Sequence, residues 1–177
     1  MDLQNFTNDM LYFDEPLAPT LETLLQKAAD QYGPEAEPLL MEAFELAPQN
    51  LSVLVGLYRY YYYQHRYHDA IYIAHRVMRV VGERIGFPER WQDVTMADVI
   101  NGTNHSFGLV RFYLFALKAA GYLNLRLGQF GEGKNMITKV VAMDTADRLG
   151  ARLLLDILGA HSAEVIPFTA QRLEACS

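Results

Sequence analysis

The segment 48–78 constrains the fold more than any other part of the sequence, because it holds two amphipathic patterns separated by a polar turn. In the first pattern apolar residues recur at i, i+3, i+4 and i+7, the spacing of one helical face: Leu54, Leu57, Tyr58 and Tyr61. The second pattern traces a helical face in the same way: Ala70, Ile71, Ala74, Val77 and Met78. Neither helix can bury its apolar face alone, so the pair needs further helices beside it. The segment therefore predicts an all-α fold built from helical hairpins.

The composition indicates a folded domain in a reducing compartment. Of the 177 residues, 51% are hydrophobic and 20% are charged, which is typical of one globular domain. The single cysteine, Cys176, excludes an intrachain disulfide and a cysteine-based metal site. Acidic residues near the N-terminus stand where a secretory signal would carry basic ones, so we expect a cytoplasmic protein.

The charge pattern argues against nucleic acid and membrane as partners. Residues 1–47 contain ten acids and one base, whereas residues 48–177 contain eleven acids and fourteen bases, and the net charge is −6. A nucleic-acid-binding protein would need a concentrated basic face. The apolar run 107–127 has the length of a membrane span, but it contains Arg111, Lys118 and Arg126, whose charges are costly in a bilayer. We therefore predict that this run is a buried helix.

Helix-start and helix-stop residues predict further helix pairs on both sides of the central segment. Thr20 is expected to be the N-cap of the first helix of a pair in 20–48, which Gly33 and Pro34 divide. Ser106 is expected to be the N-cap of the long apolar helix of a pair in 107–144.

The segment 80–106 has no helix-pair pattern and is expected to be an insertion. Gly86 and Pro88 should end the preceding helix, and a short helix at 95–100 should be closed by Asn101–Gly102. Near the C-terminus a helix is expected from Arg148 to Leu158, where Gly159 ends it, followed by a capping turn at 169–175.

The central segment resembles a tetratricopeptide repeat, a helical hairpin of about 34 residues. Besides the first-helix residues given above, the matching positions lie in the turn and second helix: Tyr67, Ala70, Ala74 and Val77. Asn50, after Pro48, also fits the pattern. A later copy matches at these positions: Leu117, Ala120, Gly121, Gly128, Phe130, Gly133, Ile137 and Val140. Gly133 replaces the usual Ala and Thr145 the usual Pro, so this last repeat is degenerate.

The resemblance implies a right-handed α-α superhelix of about three hairpins with a C-terminal capping helix, in a single domain of residues 1–177. Its expected parts follow in chain order: an N-terminal arm (1–19), repeat 1 (20–48), repeat 2 (49–79), the insertion (80–106), repeat 3 (107–144) and capping helices (148–176).

The resemblance also implies a concave surface lined by the first helix of each repeat. The residues at these positions include Ser52, Val55 and Phe115, and those expected to contact a partner are Arg59, Tyr62, Tyr63, Arg66, Lys118, Tyr122 and Arg126. Cations beside tyrosines suit a ligand that carries both a carboxylate and apolar side chains. The alternative is that most of the run Tyr60–Tyr63 packs in the core.

Catalytic chemistry has little support in the sequence. His65, His68 and Asp69 are close in sequence, but no further ligands follow at zinc spacing, so no metal site is predicted. Gly128 and Gly131 follow a helix and not a strand, which is the wrong context for a phosphate loop. We predict a protein that is not an enzyme and that holds no cofactor.

The leading functional hypothesis is an adaptor or chaperone-like scaffold that binds a protein or peptide in the concave groove. In size and charge the chain resembles the three-repeat chaperones of type III secretion, from which the insertion distinguishes it. The stretch 113–128 is also similar to repeat proteins encoded near bacterial nitrogen-fixation genes. One alternative is a homo-oligomer in which the acidic first quarter packs on a neighbouring chain and Trp91 and Phe87 supply an apolar patch. Another is an enzyme with its site in the insertion.

Overall fold

The computed structural model describes residues 15–31 and 33–163, and of residues 160–163 the backbone alone. Within these residues the chain is all-α, with no strand. The helices follow in chain order: α1 (Pro19–Asp30), α2 (Ala36–Leu46), α3 (Leu51–Tyr63), α4 (Tyr67–Ile85), α5 (Met96–Arg126), α6 (Phe130–Met143) and α7 (Arg152–Ala163). A single 3₁₀ turn at Trp91–Asp93 lies between α4 and α5 in this part of the chain. The expectation of an all-α fold is confirmed.

The helices pack in sequence order, each against the next, from α1 on α2 to α6 on α7. One face of each helix enters a common core, as the apolar spacing predicts. The most deeply buried side chains come from α3, α5 and α6: Leu51, Leu54, Leu57, Leu117, Leu123, Met136, Ile137 and Val140. In α5 the residues after Ser106 are largely buried against protein, and none of the described helices is long and apolar enough to cross a membrane.

Side-chain caps fix the starts of α3 and of the apolar half of α5. The Asn50 side chain accepts a hydrogen bond from the Val53 N–H at 3.1 Å. Ser106 leaves helical geometry, with φ −161° and ψ 108°, and its Oγ accepts from the Leu109 N–H at 3.2 Å. The N-cap predicted at Ser106 is therefore confirmed.

The N-cap predicted at Thr20 is wrong, because α1 already begins at Pro19. The fixed φ of proline is suited to the first position of a helix, and its missing N–H is not needed there. Thr20 is therefore inside the first turn. Ala18 precedes the helix and makes no side-chain cap.

Three backbone hydrogen bonds of the turn between α3 and α4 recur in the turn between α5 and α6. The Arg66 N–H donates to Tyr61 O at 2.9 Å, and the Gln129 N–H donates to Asn124 O at 2.9 Å. Each of these hydrogen bonds spans a residue in the left-handed region. That residue is His65, with φ 58°, in the first turn and Gly128, with φ 77°, in the second. Both helices thus end in the Schellman manner.

The insertion is more helical than the sequence indicated. Helix α4 continues past residue 79 to Ile85, where Gly86 in the left-handed region ends it, as predicted. The helix that begins after Thr95 does not stop at Asn101–Gly102, so that prediction is wrong. Asn101 and Gly102 keep helical backbone geometry, and the helix continues to the break at Ser106.

The insertion is anchored to the core through aromatic side chains and one lysine. Phe87 packs edge-on against Tyr113, with ring centroids 4.9 Å apart. The Lys139 ammonium donates to Gln92 O at 2.7 Å and to Val94 O at 3.0 Å. Phe87 and Trp91 are each 8% exposed, so they do not form the apolar surface patch that the oligomer hypothesis assigned to them.

The C-terminal helix begins and ends later than predicted. Helix α7 begins at Arg152, since 148–151 form a turn that an Asp147 carboxylate stabilises by accepting from the Ala151 N–H at 2.8 Å. Gly159 does not end the helix, which continues to Ala163. Residues 1–14 of the predicted N-terminal arm, the capping turn at 169–175 and Cys176 lie outside the described residues.

Candidate binding groove

Helices α1, α3 and α5 line two adjoining clefts. The first cleft lies between α3, α4 and α5, and its lining is largely apolar: Val55, Tyr58, Arg59, Tyr62, Tyr63, Ala74, Val77, Phe112, Phe115, Ala116 and Ala119. The second lies beside α1 and α3 and includes Leu17, Glu22, Gln26 and Ser52. Val55 and Arg59 line both clefts, so the two clefts adjoin at these side chains. We call this surface the α1–α3–α5 groove.

The tyrosine run of α3 is divided between the core and the groove. Tyr60 is 6% exposed and Tyr61 is 7% exposed, whereas Tyr62 and Tyr63 are half-buried and line the first cleft. Two residues of the run thus pack in the core, and the other two line the cleft. The reason is geometric, because four consecutive helical residues point to all sides of the helix.

Stacked rings give the groove a rigid aromatic wall. The rings of Tyr58 and Tyr62 stack with centroids 6.1 Å apart, and Tyr63 meets Tyr62 edge-on at 5.4 Å. Burial, with the nearby Tyr62, raises the pKa of Tyr58 well above its ordinary value. The Tyr58 hydroxyl is therefore neutral across the physiological range and acts as a hydrogen-bond donor or acceptor.

Arg126 closes the end of this wall at the turn before α4. Its guanidinium donates to Tyr122 Oη at 3.1 Å and to Tyr67 Oη at 3.1 Å, and it lies 5.2 Å from the Tyr67 ring centroid. His65 Nδ1 lies 2.9 Å from the same Tyr67 oxygen. The structure thus brings Tyr62, Tyr122 and Arg126 together, since Tyr67 also packs against Tyr62 at 6.1 Å.

Arg66 is directed toward α2. Its guanidinium binds both carboxylate oxygens of Glu37 at 2.7 Å and one oxygen of Asp69 at 2.7 Å, and it lies 4.5 Å from the Tyr61 ring centroid. The hydrogen bonds to Glu37 and Asp69 raise the pKa of Arg66 above its ordinary value. The Arg66 charge therefore holds the α3–α4 turn against α2.

Lys118 is directed toward the connection between α6 and α7. Its Nζ donates a hydrogen bond to Leu149 O, and burial lowers the pKa of Lys118 below its ordinary value. Lys118 therefore does not continue the contacts that join Tyr122 to Arg126, although the three residues are spaced for one helical stripe.

The first cleft is shallow, with a volume of about 40 Å³. Sites for cofactors and drug-sized ligands usually enclose about 300–1,000 Å³. The second cleft is larger, at about 310 Å³, and is open to solvent. This shape suits a segment of chain that lies along the groove and places an apolar side chain in the first cleft.

Sequence reasoning missed the contribution of α1 and of the small residues. Glu22 and Gln26 lie in the second cleft, but the first hairpin matched the repeat pattern too weakly for its groove positions to be assigned. Ala116 and Ala119 form part of the first cleft, and their small size is the signal that could have revealed the depression.

The described residues do not bring three or more His, Cys, Asp or Glu side chains together as a metal site. In the α3–α4 turn, His65 contacts Tyr67 and Asp69 pairs with Arg66. The turn residues thus stabilise the turn.

The chain is similar along almost its whole length to a protein of Azotobacter chroococcum mcd 1. The two are 54% identical over 169 residues, which cover 95% of this chain and 94% of the relative. This chain belongs to the same family. The Azotobacter relative is described as an uncharacterized 19.8 kDa protein in the nifW 5′ region. No protein-family model matches the sequence, and no solved structure matches it.

Proposed function

We propose that this chain is a cytoplasmic adaptor of the tetratricopeptide type that binds an extended segment of a partner protein in the α1–α3–α5 groove. The helices form a right-handed superhelix whose concave side is this groove. The observation that carries the proposal is that the two clefts adjoin at Val55 and Arg59. A groove formed by alternate helices is the surface that stacked helical hairpins create.

The chemistry of the groove favours a peptide with an apolar anchor beside a carboxylate. The first cleft exposes apolar surface, and Arg59 and three tyrosines are among the residues that line it. An apolar side chain gains burial in the cleft, and a neighbouring carboxylate gains a charge-assisted hydrogen bond from the guanidinium. Rigid aromatic rings lose little entropy on binding, which makes Tyr62 and Tyr63 the expected main contacts.

The repeat architecture is supported by the two matching turns. His65 and Gly128 occupy the same left-handed position, and three backbone hydrogen bonds around His65 have counterparts around Gly128. This correspondence favours two copies of one hairpin, α3–α4 and α5–α6, which is the unit that a superhelix repeats.

The experiment that tests the proposal fills the first cleft. In Ala119→Phe the new ring would occupy the space of the apolar anchor. Ala142→Phe is the matched control, because Ala142 lies on α6 beside Trp91 and away from the groove. A photoreactive amino acid in place of Tyr63 identifies what lies in the cleft. We expect a partner to crosslink at position 63 and to be lost from Ala119→Phe and retained by Ala142→Phe.

The description of the Azotobacter relative as a protein in the nifW 5′ region indicates which cells to use first for the capture experiment. Together with the similarity of 113–128 to repeat proteins encoded near nitrogen-fixation genes, it favours a partner made during nitrogen fixation. The capture is therefore done in parallel from cells grown with and without fixed nitrogen. Equal retention of every captured protein by wild type and Ala119→Phe would contradict the groove assignment.

A further inference from the structure

The outer faces of α2 and α4 expose apolar side chains beside charges of opposite sign. On α2, Met41 is 36% exposed and Leu46 is 59% exposed. The exposed acids Glu42 and Glu45 lie between them in the sequence. On α4, Tyr72 is 60% exposed. Large apolar side chains that remain exposed next to one another often mark a protein interface.

The outer face of α4 carries positive charge in its middle turns, from Arg76 and Arg79. His68, Tyr72, His75 and Arg79 lie at i, i+4, i+7 and i+11 and form one exposed stripe, which Glu83 follows one turn later. Tyr72, His75 and Arg79 line a surface depression of about 230 Å³ together with Arg76. This depression is wide enough to receive side chains from a second helix.

The acidic and basic faces adjoin within one chain. The Arg76 guanidinium of α4 lies 5.0 Å from the Phe44 ring centroid of α2, and its Nε donates to Pro48 O at 3.2 Å. Phe44 precedes Glu45, and Arg76 borders Tyr72 and Arg79 on α4. The contact between Phe44 and Arg76 therefore forms a seam between a negative and a positive surface.

We propose that this surface, which we call the α2–α4 face and define by Met41, Glu42, Glu45, Tyr72 and Arg79, is the interface of a homodimer. A two-fold rotation about an axis near the seam places α2 of each copy on α4 of the other. The surface is then self-complementary, as a two-fold interface must be, because acid meets base in both halves.

Three properties of the face favour a second copy as its occupant. The four ion pairs among the described residues do not use Glu42, Glu45 or Arg79, so within that part of the chain these charges are not already in an ion pair. Met, Tyr and Arg are the residue types enriched at interfaces. Each chain carries an acidic half on α2 and a positively charged half on α4. A second copy of the same chain can therefore complement both halves.

The dimer is expected to be weak and sensitive to salt. Exposed charges are screened beyond about 10 Å at 0.1 M ionic strength, so added salt weakens the attraction between the two halves. Sedimentation equilibrium over a range of protein concentrations, at low and at high salt, measures the dissociation constant. We expect dimers at low salt and at least a several-fold rise in that constant at high salt.

A pair of charge reversals distinguishes this interface from any other. Arg79→Glu makes α4 acidic, and Glu45→Arg makes α2 basic, so each variant alone opposes like charges in both halves of its own dimer. We expect each to raise the dissociation constant about tenfold or more, the result of losing roughly 1.4 kcal/mol. Mixed in equal amounts, the two variants match in both halves, so they form a heterodimer.

The controls are charge reversals of exposed residues away from this face. Lys134→Glu on α6 and Asp156→Lys on α7 should leave the dissociation constant unchanged, and circular dichroism verifies that every variant is folded. A wild-type chain that is monomeric at all concentrations and salts overturns the proposal. So does a wild-type dimer that Arg79→Glu leaves intact, or a mixture that stays monomeric. Ala119→Phe should dimerise normally, so this proposal and the groove proposal fail separately.

Discussion

His65 and Gly128 hold the same left-handed backbone position in two turns with corresponding hydrogen bonds. The turn therefore tolerates a side chain at one copy and has none at the other. At position 128 nothing lies within 4 Å of where a Cβ would be, so any cost of a side chain there comes from the backbone alone.

The conformational requirement at Gly128 is open to a direct test. Gly128→Ala should lower the free energy of unfolding by about 1–2 kcal/mol, because alanine is strained in the left-handed region. Gly131→Ala is the matched control. Its Cβ would also meet nothing within 4 Å, but Gly131 lies inside α6 and should gain up to about 1 kcal/mol. Urea unfolding measures both, and equal shifts in the two variants would contradict the argument.

Gly133 is required by the close approach of α6 to α5. A Cβ at this position would lie 2.7 Å from Leu125 Cγ and 2.8 Å from Gly121 O, and a backbone oxygen cannot move aside cheaply. Gly133→Ala, which would restore the usual residue of the repeat pattern, should therefore destabilise the protein by about 1–3 kcal/mol. Thermal and urea unfolding measure the change. A gain in stability would mean that the helices separate more easily than this contact implies.

Asn50 caps α3, whereas Thr20 does not cap α1, and a pair of substitutions tests that difference. Asn50→Ala removes the acceptor of the Val53 N–H and should cost about 1 kcal/mol of unfolding free energy. Thr20→Ala should cost little, because Thr20 lies inside the first turn of α1. Urea unfolding of both variants decides the matter. A larger loss from Thr20→Ala would place the cap of α1 at Thr20 after all.

Alkaline stability should depend on the buried tyrosines. Burial raises the pKa of Tyr58 and Tyr113 above the value of about 10 for the unfolded chain. The native state therefore keeps protons that the unfolded state loses, and its stability is full below about pH 10 and falls as the pH rises further. Urea unfolding between about pH 8 and pH 11 measures this fall. The Tyr113→Phe variant should show a smaller fall than wild type, and an identical fall would contradict the assignment to Tyr113.

Sequence periodicity was sufficient to predict the helices. Together with the repeat resemblance it also indicated part of the groove. Apolar spacing located α3, α4 and the buried half of α5, because the faces that helices bury are local patterns of 3.6 residues. The cap at Ser106 was predictable for the same reason, since a cap involves residues only three apart, and Asn50 caps α3 in the same way without having been predicted to. Tyr62, Tyr63 and Arg59, which the repeat resemblance assigned to one surface, line the same cleft.

What the sequence by itself determined is the order of helices and which face of each is buried. Only the tertiary structure decided where long side chains go, since Lys118 reaches Leu149 O and Arg66 reaches Glu37, each more than twenty residues away in the chain. It also decided that Trp91 is buried and that Gly133 must lack a Cβ. The physical reason is distance along the chain. Periodicity reports contacts within one helix, whereas the partner of a charge or the gap beside a glycine is set by another helix.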